Sequence, residues 1–283
     1  MKKRKVSSPT LQTGPESDNS VLFKRRATAP ITLITDFGSA DYFVGSVKGV
    51  ILDANPSVNI VDITHQIPAQ DIQSAAFTLQ ASYHSFAPGT IHVAIVDPGV
   101  GSSRRPVIVL AGAQCFVGPD NGIFSYVLDT EPQHKVVHVT NDQYFRRPLS
   151  TTFHGRDVFA PVAAALSNSV SPESFGPEIN DAVRLKSLNP ETSKNGEVLG
   201  RIIHIDRFGN CVTNINGSIV PGKIKLNGKT IDSVREFYGD GPNGKKLFLI
   251  RGSAGFLEVS AQNRSAAKLL NAKRGDRVVL RPK

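Results

Sequence analysis

The chain has 283 residues, 40% of them hydrophobic and 20% charged, and a net charge of +9. With a mean hydropathy of −0.14, that balance fits a soluble globular protein and excludes a wholly disordered one, and no apolar run approaches the roughly 18–20 residues that span a bilayer. Lys2, Lys3, Arg4, Lys5, Lys24, Arg25 and Arg26 face only Glu16 and Asp18 in the first thirty residues, which leaves the body near neutral and argues against a nucleic-acid-binding core.

Residues 1–29 are rich in Ser, Thr, Pro and Lys and lack the apolar region of a secretory signal. They are expected to form a disordered basic tail, with the KKRK run as an alternative nuclear or organellar address. Order is expected to begin at Ile31 with the strand ITLIT, followed by a turn at Asp36-Phe37-Gly38. A helix is predicted from about Asp41 to Leu52, because Phe43, Val47, Val50 and Ile51 share a helical face. Asp41 is placed to open it and Asn55-Pro56 to stop it.

VNIVDIT then reads as a strand and Asp71–Ser82 as a helix with Ile72, Ala75, Ala76 and Leu79 inward. TIHVAIVD, PVIVLAG and CFVGPDNG are three more strands, and HGRDVFAPVAAALSN begins another helix. Alternating strands and helices predict an N-terminal α/β domain, residues 30–187, around a mostly parallel sheet. The polar stretch 188–196 reads as a linker. After it short strands dominate, predicting a smaller all-β barrel or sandwich over 197–283. Cys115 and Cys211 sit in apolar surroundings and are expected to be buried thiols, which suits a reducing, cytoplasmic compartment.

In an open α/β sheet, ligands bind beyond the carboxyl ends of the strands. Three strands here run at once into polar residues: TDFGSAD, DITH and DPGVGSSRR. A single Asp in such a place is usually a cap or turn former, but three in succession on the expected crevice point to a site. Gly99 and Gly101 let the chain turn tightly and approach a ligand, and Arg104 can fold back to keep Asp97 ionised. His154 is a candidate base or donor, with Gly155 leaving room beside it. Arg156 and Asp157 are equally explained as a local pair opening a helix.

In HIDRFGNCVTNI, Phe208 has the chemistry to stack on a base and Asn210 to read its edge. A tight turn around a core aromatic accounts for the same residues. No His/Cys pair has ligand spacing, so no metal is expected.

Six motifs in this order, TDFGSADYFVG, VDITHQIPAQD, VDPGVGSSRR, PDNGIFS, TFHGRDVFAPVAA and IDRFGN, resemble the S-adenosyl-L-methionine hydrolases that form adenosine, relatives of the fluorinases and chlorinases. The likeness runs from about Ile31 to the C-terminus. It implies hydrolysis of S-adenosyl-L-methionine at ribose C5′ without a cofactor, giving adenosine and L-methionine. The alternative is a non-catalytic protein that binds adenosine or S-adenosylmethionine.

The resemblance further implies a homotrimer whose ligand lies between one subunit's N-terminal domain and a neighbour's C-terminal domain; the composition and charge already disfavour a membrane or nucleic-acid partner. It assigns Asp97, Arg104 and His154 to the attacking water, with either Asp97 or His154 as the base. Asp36 falls to the ribose hydroxyls, Asp41 and Asp206 to the methionine amino group, and Phe208 and Asn210 to adenine. Ser253 falls to the methionine carboxylate, and Glu258 of the same RGSAGFLEVS segment joins the substrate-binding set. Halogenating relatives carry Tyr and Thr in place of Asp97 and Val100 and Ser in place of Gly155. A carboxylate at position 97 would repel a halide, which favours water as the nucleophile.

Overall fold

The computed structural model describes residues 23–24, 29–239 and 247–283. The expected tail therefore falls almost wholly outside the described residues, although Phe23 packs, half-buried, on the N-terminal core.

The N-terminal part is built in chain order from β1 (Ile31–Thr35), α1 (Phe43–Ala54), β2 (Ile60–Thr64), α2 (Ile72–Ser82), β3 (Ile91–Ile95), β4 (Pro106–Ala111), β5 (Gln114–Pro119), α3 (Ser125–Thr130), β6 (His134–His138), α4 (Ala160–Ser167) and β7 (Glu178–Ile179). They form one seven-stranded sheet in the order β2-β1-β3-β5-β4-β6-β7. The first four of these strands are mutually parallel, with Ile31 opposite both Ile60 and Ile91, and Ile91 opposite Cys115. The other three are antiparallel to their neighbours. The parallel core is thus as expected, and the antiparallel flank is the part the strand pattern did not reveal.

Side-chain alternation along a strand divides the interior into two layers. Ile91, Val93 and Ile95 enter the core on the side of α1 and α4, whereas Ala94 and Val96 enter the core on the opposite face. Asp97 continues the odd-numbered series, towards the side where the chain entering α4 arrives. Asp41 does not cap α1. Tyr42 occupies that position without a side-chain cap, because the turn after β1 is held by other bonds described below. Asp71 does cap α2, accepting from Ser74 N at 3.1 Å.

The C-terminal part comprises β8 (Glu191–Thr192), β9 (Val198–Ile205), β10 (Cys211–Asn216), β11 (Pro221–Leu226), β12 (Lys229–Ile231), β13 (Leu247–Arg251), β14 (Phe256–Ala261), α5 (Ala266–Leu270) and β15 (Arg277–Pro282). The sheet runs β12-β11-β15-β9-β10-β14-β13, all antiparallel, and β8 adds to β9. A bridge from Val234 to Leu249 draws the β12 end towards β13, so the sheet curls into a nearly closed barrel around its own core. Cys115 and Cys211 are buried free thiols, and burial pushes the Cys211 thiol up to about 12.

A small apolar cluster of Ala76, Phe77, Tyr126, Ile203 and Val212 joins the two parts. Phe77 stacks on His204 at 4.9 Å between ring centroids. Arg274 closes the seam, donating to Asp71 Oδ2 and Ser74 Oγ, both at 2.5 Å.

One core histidine carries a pH signature. His92 is fully buried in β3, held by Thr32 Oγ1 at 2.7 Å and by Gln114. Burial lowers its pKa from 6.5 to about 4. The unfolded chain therefore binds a proton that the folded one refuses, and stability should fall as pH drops from about 6.5 to about 4, by roughly 3 kcal/mol at about 1.4 kcal/mol per unit. Urea unfolding over this range should show the loss, and His92→Asn should flatten the slope. His154 and His204 shift in the same direction, so the difference between wild type and variant is the quantity to read.

Candidate active site

The four parallel strands deliver their carboxyl ends to one edge, and the predicted residues follow those ends. After β3 the chain makes the DPGVGSSRR turn, fixed at its start by Asn121 Nδ2 donating to Val96 O at 2.8 Å. Gly101 has φ +78°, and a Cβ there would fall 2.3 Å from Thr151 O. This glycine thus lets the turn seat against the loop that carries His154, and its close approach is to protein backbone where the sequence suggested a ligand.

The three members of the predicted triad meet. Arg104 Nε donates to Asp97 Oδ1 at 2.9 Å and to Oδ2 at 3.0 Å, and Arg104 Nη2 donates to Oδ2 at 2.5 Å. The same Nη2 lies 2.7 Å from His154 Nδ1. A guanidinium can only donate, so His154 Nδ1 must accept, and the proton of the neutral imidazole sits on Nε2. Burial lowers the His154 pKa, and the charge of Arg104 lowers it further, which keeps the ring neutral near pH 7. Both partners of the ion pair are buried, with side chains 9% and 6% exposed. Arg104 also lies over the Phe159 ring, 5.2 Å from its centroid. Water screens such a pair far less than a surface pair, and breaking it would leave a buried charge alone.

Asp97 and His154 line a cavity of about 320 Å³ that also contains Asp36, Gln70 and the rings of Phe37, Phe43 and Phe153. Asp36 Oδ2 accepts from Gln70 N at 2.8 Å, which fixes one oxygen of this cavity-lining carboxylate. Gly155 sits against the Phe37 and Phe153 rings, each 3.3 Å from where its Cβ would be. Its small size therefore serves the aromatic wall, a correction to its expected role beside the imidazole. Arg156 and Asp157 resolve as a local pair, with bonds of 2.6 and 2.8 Å to a fully buried carboxylate.

The remaining predicted residues gather elsewhere. Asp206, Phe208, Asn210, Ser253 and Glu258 line a second cavity, of about 860 Å³, in the C-terminal barrel. Asp206 Oδ1 accepts from Phe208 N and Asn210 N at 2.9 and 2.8 Å, and Oδ2 accepts from Asn210 Nδ2 at 2.9 Å. The turn is thereby rigid, and it presents Phe208 with 76% of its surface exposed. Burial pushes the Glu258 carboxyl up, against the Tyr238 hydroxyl that donates to it at 3.2 Å. Asp41 is exposed and lines neither cavity.

Gln70, Tyr238 and the aromatic wall escaped the sequence reading. Gln70 contributes through its backbone in a left-handed conformation, φ +65°, which no side-chain pattern signals. Tyr238 precedes the Gly-rich sequence GDGPNG and looks like surface in sequence. Among the described residues, no three His, Cys, Asp or Glu side chains cluster so as to hold a metal ion.

Family models for SAM hydroxide adenosyltransferase match this chain twice, its N-terminal domain over residues 31–176 and its C-terminal domain over residues 200–279. The (R)-S-adenosyl-L-methionine hydrolase of Thermus thermophilus is 35% identical over 253 residues, 87% of this chain and 97% of its own. A fluorinase of Actinoplanes sp. is 25% identical over 212 residues, 66% of this chain and 71% of its own. The crystal structure of a conserved Thermotoga maritima protein superposes with a TM-score of 0.82 at 32% identity, covering 88% of this chain and 99% of that one. With the strand-end triad in place and both halves of the chain matched, the protein belongs to the SAM hydroxide adenosyltransferase family.

Proposed function

We propose that this chain hydrolyses S-adenosyl-L-methionine at ribose C5′, releasing adenosine and L-methionine, in the (R) form for which its relatives are named. The observation that carries the reading is Arg104 bridging Asp97 and His154, the two residues of the set that line the strand-end cavity. The sulfonium leaves as a neutral thioether, so no general acid is needed. Water forms the new C5′–O bond, the C5′–S electron pair returns to sulfur, and the water proton must find an acceptor.

The bonds already made divide the labour. His154 Nδ1 is occupied by Arg104, so Nε2–H is free to orient the water as a donor. Asp97 Oδ1 carries only a share of the Arg104 Nε bond, and its remaining lone pairs make it the proton acceptor. Holding water in line with C5′–S replaces an encounter with a preset geometry, an effect on the order of several kcal/mol.

The substrate-binding roles follow the two cavities. Asp36 takes the ribose hydroxyls, Phe208 and Asn210 the adenine, and Asp206, Ser253 and Glu258 the methionine end. The two cavities share no lining residue, so one chain holds the two halves of a site apart. We therefore assign the complete site to a homotrimer in which a neighbour's barrel covers the N-terminal cavity. The exposure of Phe208 (76%) and of Tyr42 (68%) beside that cavity fits surfaces awaiting such a cover.

Pure protein incubated with each sulfur epimer of S-adenosylmethionine should release adenosine and methionine, with the (R) form consumed faster. Binding without release of either product would make the chain a binding protein instead. Added fluoride or chloride should yield no 5′-halo product by chromatography. Arg104 Nε and Nη2 are already committed to Asp97 and His154 and cannot replace a halide's hydration shell.

A further inference from the structure

The DITH motif takes no part in the chemistry above, yet it contacts the turn that carries Asp36. His65 Nε2 lies 3.2 Å from Asp62 Oδ1, off the line of a straight hydrogen bond but within ion-pair range. A carboxylate offers only lone pairs, which places the imidazole proton on Nε2 and leaves Nδ1 as an acceptor. Nδ1 lies 2.9 Å from Thr35 Oγ1, so the Thr35 hydroxyl donates to it. Thr35 Oγ1 in turn accepts from Phe37 N at 3.2 Å. The His65 carbonyl accepts from Gly38 N at 2.8 Å. At the far end Lys48 Nζ donates to Asp62 at 2.6 Å. Burial alone would raise the Asp62 carboxyl, but the bonds from Lys48 and His65 hold it below its ordinary value.

These contacts run from Lys48 to Asp62 to His65 to Thr35 and end on Phe37 N, the backbone amide that follows Asp36, while Gly38 N is held separately by the His65 carbonyl. Thr35 is buried, and the His65 side chain is 10% exposed, so water does not substitute readily for either. The loop that follows His65 also supplies Gln70 N to Asp36 Oδ2. Asp36 is thus clamped from the β2–α2 loop through its backbone and through its carboxylate. We propose that His65 is a positioning residue for nucleoside binding, acting through Thr35 to aim Asp36 at the two ribose hydroxyls. This rests on the reading of Asp36 given above.

The test measures binding, so it does not depend on turnover. Calorimetry compares adenosine with 2′,3′-dideoxyadenosine on the full-length wild type and on three variants. His65→Ala should weaken adenosine by up to about tenfold, the upper size expected for loss of one buried hydrogen bond, and leave the dideoxy ligand unchanged. His65→Asn retains an acceptor near the Nδ1 position and should restore most of the adenosine affinity. Asp62→Asn, a milder change at a half-exposed group, should lie between wild type and His65→Ala. Equal weakening of both ligands by His65→Ala, or no rescue by His65→Asn, would overturn the proposal. The expected binding pattern in a protein that does not consume S-adenosylmethionine would sink the hydrolase reading and uphold this one.

Discussion

Asp97→Asn is expected to lower kcat by about 10²–10³-fold, with KM changed little, the pattern of an interaction made only in the transition state. The amide keeps the shape of the carboxylate but loses the lone pairs of one oxygen and the negative charge. Its NH₂ must face either Arg104 or the water. If it faces Arg104, two donors meet; if it faces the water, the proton acceptor is gone. Neither orientation leaves a base, because an amide oxygen can accept a hydrogen bond from the water but not its proton. Removing one partner of a buried ion pair is also destabilising, by about 3–5 kcal/mol in general. Adenosine binding should therefore be measured on the same sample. Lost turnover with retained binding assigns the effect to chemistry, and turnover within twofold of wild type would remove Asp97 from the mechanism.

The second large effect is a gain of activity. Asp97→Asn disables the N-terminal cavity, and Ser253→Trp fills the C-terminal one from an exposed position that supports no core contact. Each variant alone should be inactive. Co-expressed in equal amounts, they should recover about one quarter of wild-type activity, because in a closed ring with sites between neighbours one site in four draws both intact halves. A site contained within one chain would give no recovery at any ratio. Sedimentation of the same mixture reads the oligomer directly. The recovery is large against a null background, so modest assembly defects in either variant do not hide it.

The parallel half of the sheet was legible in the sequence because apolar runs flanked by helical spacing leave few alternatives. ITLIT became β1 and TIHVAIVD became β3. Strand direction on the other flank was not, since side-chain alternation is the same for parallel and antiparallel neighbours. The signal was present in the link from Ala111 to Gln114. Only Gly112 and Ala113 separate β4 from β5, both with positive φ, 57° and 60°, and a two-residue link joins only antiparallel strands. The six residues of α3 are too few for helical periodicity to register.

The triad was legible as residues but not as a bonded unit. Nothing in the spacing between Asp97 and His154 says that Arg104 reaches both, and each residue alone has an ordinary structural use. The tautomer of His154 required the geometry, because it follows from which nitrogen faces Arg104. Asp41 shows the reverse failure. Its position before a helix is right for a cap, yet the turn is held by Thr35, His65 and Gln70, and its side chain is left exposed.

The most direct test of the account is to run the reaction in H₂¹⁸O and read both products by mass spectrometry. Attack of water on C5′ predicts one ¹⁸O in the 5′-hydroxyl of adenosine and none in methionine. Unlabelled adenosine, or no adenosine while the protein binds S-adenosylmethionine, would contradict it.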